Sequence, residues 1–199
     1  FGALVGTFAG TAPLIINDYG LNNASYGFGV TAMTAATVAA MAIAGWLARC
    51  VSHRHVLLSV LPLAFILLCV LALGGIPGIF FLAIMLYGFI LGLLDVFMNA
   101  EGGLVEISLG NPVYTAFHGA ASLGTAIFAI VSSFLSVLYG THVSLLAAGL
   151  PTAFAIALVW RHIDHKHRDL NFHEVGKETS LARQITLPIA LIGVVWGIV

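Results

Sequence analysis

Leu94-Asp95-Val96-Phe97-Met98-Asn99-Ala100-Glu101-Gly102-Gly103-Leu104-Val105-Glu106, followed closely by Phe117-His118-Gly119, sets a carboxylate, an amide and an imidazole inside some of the most apolar sequence of the chain. A charge in hydrocarbon is costly, so an ionisable residue in such a run points to function. The rest of the chain shows that hydrocarbon is the right setting. Of its 199 residues 60% are hydrophobic and 8% charged, with a mean hydropathy of +1.07. A soluble domain carries about a quarter charged residues. This chain cannot cover itself with a hydrated surface, and a bilayer must be its solvent. The apolar runs are continuous rather than alternating, which favours helices over barrel strands. The fold class is therefore all-α, a polytopic transmembrane helix bundle.

Working outward, seven apolar segments fall at 1–17, 27–48, 56–74, 78–104, 112–138, 142–160 and 185–199. A span needs about 20 residues. The five inner segments qualify; the first and last read as cut spans of a longer chain, since Phe1 and Val199 both lie inside apolar sequence. The expected organisation is a bundle over 1–160, a polar linker over 161–184 and the start of a seventh helix over 185–199. Turn chemistry marks the connections at Asn17–Asn23, at Gly74-Gly75-Ile76-Pro77-Gly78 and at Gly110-Asn111-Pro112. All seven Lys and Arg residues fall on the side shared by the 2–3, 4–5 and 6–7 loops. The positive-inside rule places those loops in the cytoplasm.

Helices 2 and 5 are rich in small residues, among them Gly29, Ala32, Ala36 and Ala40 in one and Gly119, Ala121, Gly124 and Ala129 in the other. Small residues let backbones approach closely in lipid. An inverted repeat of helices 1–3 and 4–6 would make these two helices equivalent.

Depth then ranks the polar residues. Asp95 lies 11 residues before Glu106, roughly 16 Å in at 1.5 Å per residue and close to the bilayer midplane. Asn99 is one turn nearer the cytoplasm on the same face. His118 enters helix 5 six residues after Pro112, roughly 9 Å deep and near the level of Asn99. Adjacent antiparallel helices could bring Asn99 and His118 together, with Asp95 a turn above. Two readings fit. In one, Asp95 takes up and releases a proton as its access alternates, and His118 relays it or binds substrate. In the other, Asp95, Asn99 and His118 bond one another and lock helices 4 and 5.

The remaining polar residues read as support. Glu106 is a solvated or capping residue, and Glu101 sits near the cytoplasmic interface. His162, His165, His167 and His173 lack regular ligand spacing and belong to a solvated linker, so no metal site is expected. Trp46 and Trp160 fit an interfacial aromatic belt. Cys50 and Cys69 read as buried apolar thiols, with neither pairing nor metal binding suggested. No nucleophile–base pair, nucleotide loop or zinc-protease pattern occurs, no basic tract suggests nucleic acid, and no cofactor is implied.

The run Gly92-Leu93-Leu94-Asp95-Val96-Phe97-Met98-Asn99, then Val105-Glu106, then Phe117-His118-Gly119-Ala120-Ala121-Ser122-Leu123-Gly124, resembles the helix 4–5 pattern of fucose-permease-like bacterial inner-membrane transporters of the major facilitator superfamily. The resemblance implies a six-helix N-terminal half with a 3+3 inverted repeat, a linker, and the start of the second half. The family's 2–3 loop motif, G-x-L-a-D-R-x-G-R-R, corresponds to Gly45 through Arg54: Gly45, Leu47, Ala48 and Arg54 match. Arg49 replaces the motif's Asp, Cys50 its first Arg, Ser52 its Gly and His53 the next Arg. The acidic partner of the inward-closed gate is thus missing.

By this resemblance the chain is part of a secondary active, proton-coupled transporter of a small polar solute such as a sugar, working by alternating access. Asp95 and His118 would serve proton coupling, Asn99 and His118 substrate binding, and Gly45, Arg49 and Arg54 the cytoplasmic gate loop. Its partners would be the substrate, protons, the lipid bilayer and the C-terminal half. The rival is a non-transporting receptor or assembly subunit whose polar cluster only fixes packing.

Overall fold

The computed structural model describes residues 1–162, all of them within one compact unit. The expected linker beyond His162 and the start of helix 7 lie outside the described residues. Six helices follow in order: α1 (Gly2–Asp18), α2 (Asn23–Cys50), α3 (His53–Ala72), α4 (Pro77–Leu109), α5 (Tyr114–Tyr139) and α6 (Thr141–His162). No strand occurs among the described residues. The helices α2 to α6 are long and apolar enough to cross a membrane, while α1 has 17 residues.

The helix ends are set by local chemistry that hydropathy does not register. The Asn22 side chain accepts from Ser25 N at 2.7 Å and starts α2 four residues before its apolar run. Pro77 stands at the first position of α4, where its missing N–H costs nothing. Gly110 closes α4 in the left-handed conformation, φ 63°, so that helix runs to Leu109, past the expected end at 104. Ser52 caps α3 in extended conformation, which puts His53 and Arg54 in the first turn of that helix. The segment expected to form the gate loop is accordingly almost all helix: Gly45 and Arg49 belong to α2, Arg54 to α3, and only Val51 and Ser52 connect them; Cys50, expected to be buried, is exposed at the close of α2.

Packing follows backbone approach. The two most extensive interfaces are α1 with α5 and α2 with α4. In the first, a Cβ at Gly2, Gly6 or Gly10 would land on the carbonyl oxygens of Ala121, Thr125 and Ala129 in turn. In the second, a Cβ at Gly88 or Gly92 would strike the carbonyls of Met33 and Thr37. Residue numbers rise together on both partners, so each pair is parallel. Exchanging α1–α3 with α4–α6 turns one pair into the other, as an inverted repeat requires. Thr37 Oγ1 adds a bond across the second interface, donating to Gly88 O at 2.9 Å.

The core lies where α1, α3 and α4 meet, around Leu4, Ile15, Leu68, Leu71, Phe80, Ile84, Tyr87, Leu94 and Phe97. Tyr87 is fully buried, its ring 5.6 Å from that of Phe8, and its hydroxyl donates to Leu4 O at 3.0 Å. Tyr87→Phe keeps the packing and removes this tie between α4 and α1. The expected cost is about 1 kcal/mol, seen as a lower unfolding midpoint in detergent; an unchanged midpoint would show that the bond carries no net stability.

Candidate functional site

Asp95 sits near the middle of the 33-residue α4, half-buried, one turn beyond the glycine that seats α4 against α2. Its neighbours Leu94 and Phe97 turn into the core, so Asp95 and Asn99 share the less buried face. The Asn99 amide and the His118 imidazole both lie within interaction range of the Asp95 carboxylate. The N-terminal end of α1, at Phe1, approaches the same carboxylate.

The start of α5 is fixed by a carboxylate. Glu106 Oε2 accepts from Tyr114 N at 2.7 Å, satisfying an otherwise orphaned donor and placing negative charge at the helix N-terminus. This is the capping role expected of Glu106. One turn on, His118 meets the Tyr114 ring edge-on, centroids 4.8 Å apart, and is otherwise exposed on the bundle surface.

Helices α4 and α5 are not close neighbours along their length. Their contact is slight and gathers near the connecting loop, where Gly102 faces the rings of Phe117 and Tyr114. α5 instead lies against the glycine face of α1. Among the described residues no hydrogen bond joins His118 to Asp95 or to Asn99. His118 is thus within electrostatic range of Asp95 without a hydrogen bond to it among the described residues.

The residues expected at the gate separate. Gly45 points into open space, and Arg49 is exposed in the last turn of α2 with no partner among the described residues. Arg54 reaches α6: its guanidinium donates to Trp160 O at 2.9 Å and lies 5.0 Å over the Trp160 ring. His53 holds Glu101 of α4, Nδ1 to Oε1 2.7 Å, with its ring edge-on to Phe97 at 5.1 Å. Sequence reasoning missed this pair, because 48 positions separate its members and no local pattern links them. Among the described residues no group of three or more His, Cys, Asp or Glu could hold a metal ion. His162 is exposed at the end of α6; His165, His167 and His173 lie outside the described residues.

The sequence profile of the Major Facilitator Superfamily matches residues 1–199. The chain belongs to this superfamily. Over 144 residues it is 28% identical to an uncharacterized transporter of Sinorhizobium fredii, a match covering 71% of this chain and 37% of that protein. Over 105 residues it is 30% identical to an uncharacterized MFS-type transporter of Yersinia pestis, covering 53% of this chain and 27% of that protein. The matched region is thus less than two-fifths of either relative. No solved structure matches the chain. Superfamily membership and the apolar helices together make this an integral membrane protein.

Proposed function

We propose that the chain is the N-terminal part of a secondary active transporter that couples movement of a small polar solute, such as a sugar, to protons by alternating access. The observation that carries this reading is Asp95, an ionisable group half-buried in the middle of a membrane helix, with an amide and an imidazole nearby. A bilayer protein retains a carboxylate at that depth only against a standing cost. In this reading Asp95 carries the coupling proton, His118 relays it, and Asn99 with His118 meets substrate at the interface with the C-terminal half. Gly45, Arg49 and Arg54 belong to the gate on the cytoplasmic side, in a bacterial inner membrane.

The bonding pattern favours transport over a packing role: a lock would saturate its groups, whereas no hydrogen bond joins His118 to Asp95 among the described residues. The test uses the full-length protein in proteoliposomes holding a pH-sensitive dye, challenged with neutral sugars and other small polar solutes one at a time. A solute-dependent pH change, absent from protein-free vesicles, is the expected result. Solute uptake with no accompanying proton movement would remove the coupling role.

A further inference from the structure

We propose that α1 and α6 hold a buried water molecule between them, bonded by the Thr7 and Thr152 hydroxyls, which ties the two helices together. The observation behind it is Thr7. Its side chain is fully buried, and no described residue bonds its Oγ1. A buried hydroxyl without a partner is costly, and hydrocarbon supplies none. Thr11, one turn on, shows the usual outlet: its hydroxyl donates to Thr7 O at 2.9 Å. The corresponding carbonyls for Thr7 are those of Ala3 and Leu4, and Leu4 O already accepts the Tyr87 hydroxyl. Thr7 Oγ1 bonds neither.

Helix geometry fixes what Thr7 faces. Gly6 is turned to α5, and Phe8 to Tyr87 of α4. Thr7 lies midway, about 100° from each, on the side left for α6, which packs against α1, α3 and α5. Its level follows from the end of the helix, where Thr141 Oγ1 donates to Asp18 Oδ2 at 2.8 Å. From there α6 runs to the opposite end, where Arg54 at the start of α3 donates to Trp160 O. Helices α1 and α6 are therefore antiparallel. Eleven residues back from Asp18 is Thr7, and eleven on from Thr141 is Thr152. The same count sets Thr11 against Ala148 and Ile15 against Ser144. All six are buried.

The two hydroxyls are complementary. Thr152 donates to Ala148 O at 2.7 Å, which leaves its oxygen free to accept, whereas the Thr7 proton is unused. They do not bond each other directly. Pro151 lies inside α6 and has no N–H, so the Ala147 carbonyl of the same turn lacks its usual donor. Two hydroxyls and a carbonyl suit a water molecule, which takes about two to four such partners. No charged side chain stands on either stripe, so an ion would go uncompensated.

The internal repeat shows that packing alone does not ask for this pair. Gly6 and Gly92 each face a threonine carbonyl, of Thr125 and Thr37 respectively, and the residues after them are Thr7 and Leu93. Thr141 and His53 each open a helix, and eleven residues on stand Thr152 and Ala64. Leu93 and Ala64 are both buried. The α3–α4 copy thus closes with apolar groups the position that α1 and α6 close with hydroxyls.

The test is the unfolding midpoint of the full-length protein in detergent. Valine keeps the shape of threonine and removes the hydroxyl. Thr7→Val is expected to lower the midpoint by about 2 °C, and Thr152→Val to do the same. The double variant should lose little more than either, because both act on one water. Thr11→Val, which removes a hydroxyl satisfied within α1, should shift it less. An unchanged or raised midpoint in Thr7→Val would overturn the proposal, since removing a truly orphaned hydroxyl relieves a cost. Additive losses in the double variant would do so too. A second readout needs no variant: an experimental density map of the native protein should show a water within reach of both hydroxyls. A map that resolves other buried waters but none here would also sink the idea. Neither readout depends on whether solute flux is found.

Discussion

Asp95→Asn in the full-length protein is expected to reduce solute-driven proton movement to the level of protein-free vesicles while leaving solute exchange within a few fold of the native protein. The substitution is close to isosteric. The new amide occupies the same space beside Asn99, so the local geometry has no reason to collapse. What disappears is the ability to gain and lose a proton at mid-depth in α4. A net-charge carrier at that depth costs about 2.5–3.5 kcal/mol on insertion scales, so the variant should fold at least as well as the native protein. Loss of flux together with retained folding then isolates coupling. His118 sharpens the comparison: it lies within electrostatic range of Asp95 but has no bond to it. His118→Gln should therefore alter the pH profile of flux without matching the full loss. Coupled flux at the native rate in Asp95→Asn would end the assignment, and the cluster would revert to a packing feature.

Much of the fold is legible because hydropathy in a membrane chain reports helices almost directly. Six segments read from apolar runs are six helices. The ends were harder, since caps such as Asn22 and Gly110 act through single hydrogen bonds or a single dihedral. Lateral packing was less legible still. The small residues of helices 2 and 5 were visible, but their partners, Gly2, Gly6 and Gly10 on α1 and Gly88 and Gly92 on α4, recur every fourth residue and went unread. A small-residue stripe announces that some backbone comes close, not whose. That gap produced the expectation that α4 and α5 lie side by side, where the glycine face of α1 takes α5 instead. The candidate site shows the same limit. The sequence supplies Asp95, Asn99 and His118 at matching depth, and the His53–Glu101 contact emerges only once α3 and α4 are packed.

Gly92→Ala is expected to destabilise the protein by about 2–3 kcal/mol, although alanine is intrinsically the better helix former by about 1 kcal/mol. The added Cβ would stand 2.5 Å from Thr37 O and 2.9 Å from Ala40 Cβ, against a normal carbon–oxygen contact of about 3.3 Å. Neither neighbour can yield by rotating a side chain, because one is backbone and the other a methyl fixed to it. The helices must separate by most of an ångström, which strains the Thr37–Gly88 bond and loosens contacts along α2 and α4. Gly45→Ala supplies the contrast, since a Cβ there meets nothing within 4 Å. It should leave the unfolding midpoint unchanged or raise it slightly, by the propensity term alone. Equal effects at the two positions would mean that close backbone approach is not what holds α4 to α2. If the repeat governs packing as well as topology, Gly6→Ala, whose Cβ would meet the Thr125 carbonyl, should lower the midpoint as Gly92→Ala does. The two losses should also add, because the α1–α5 and α2–α4 interfaces share none of these residues.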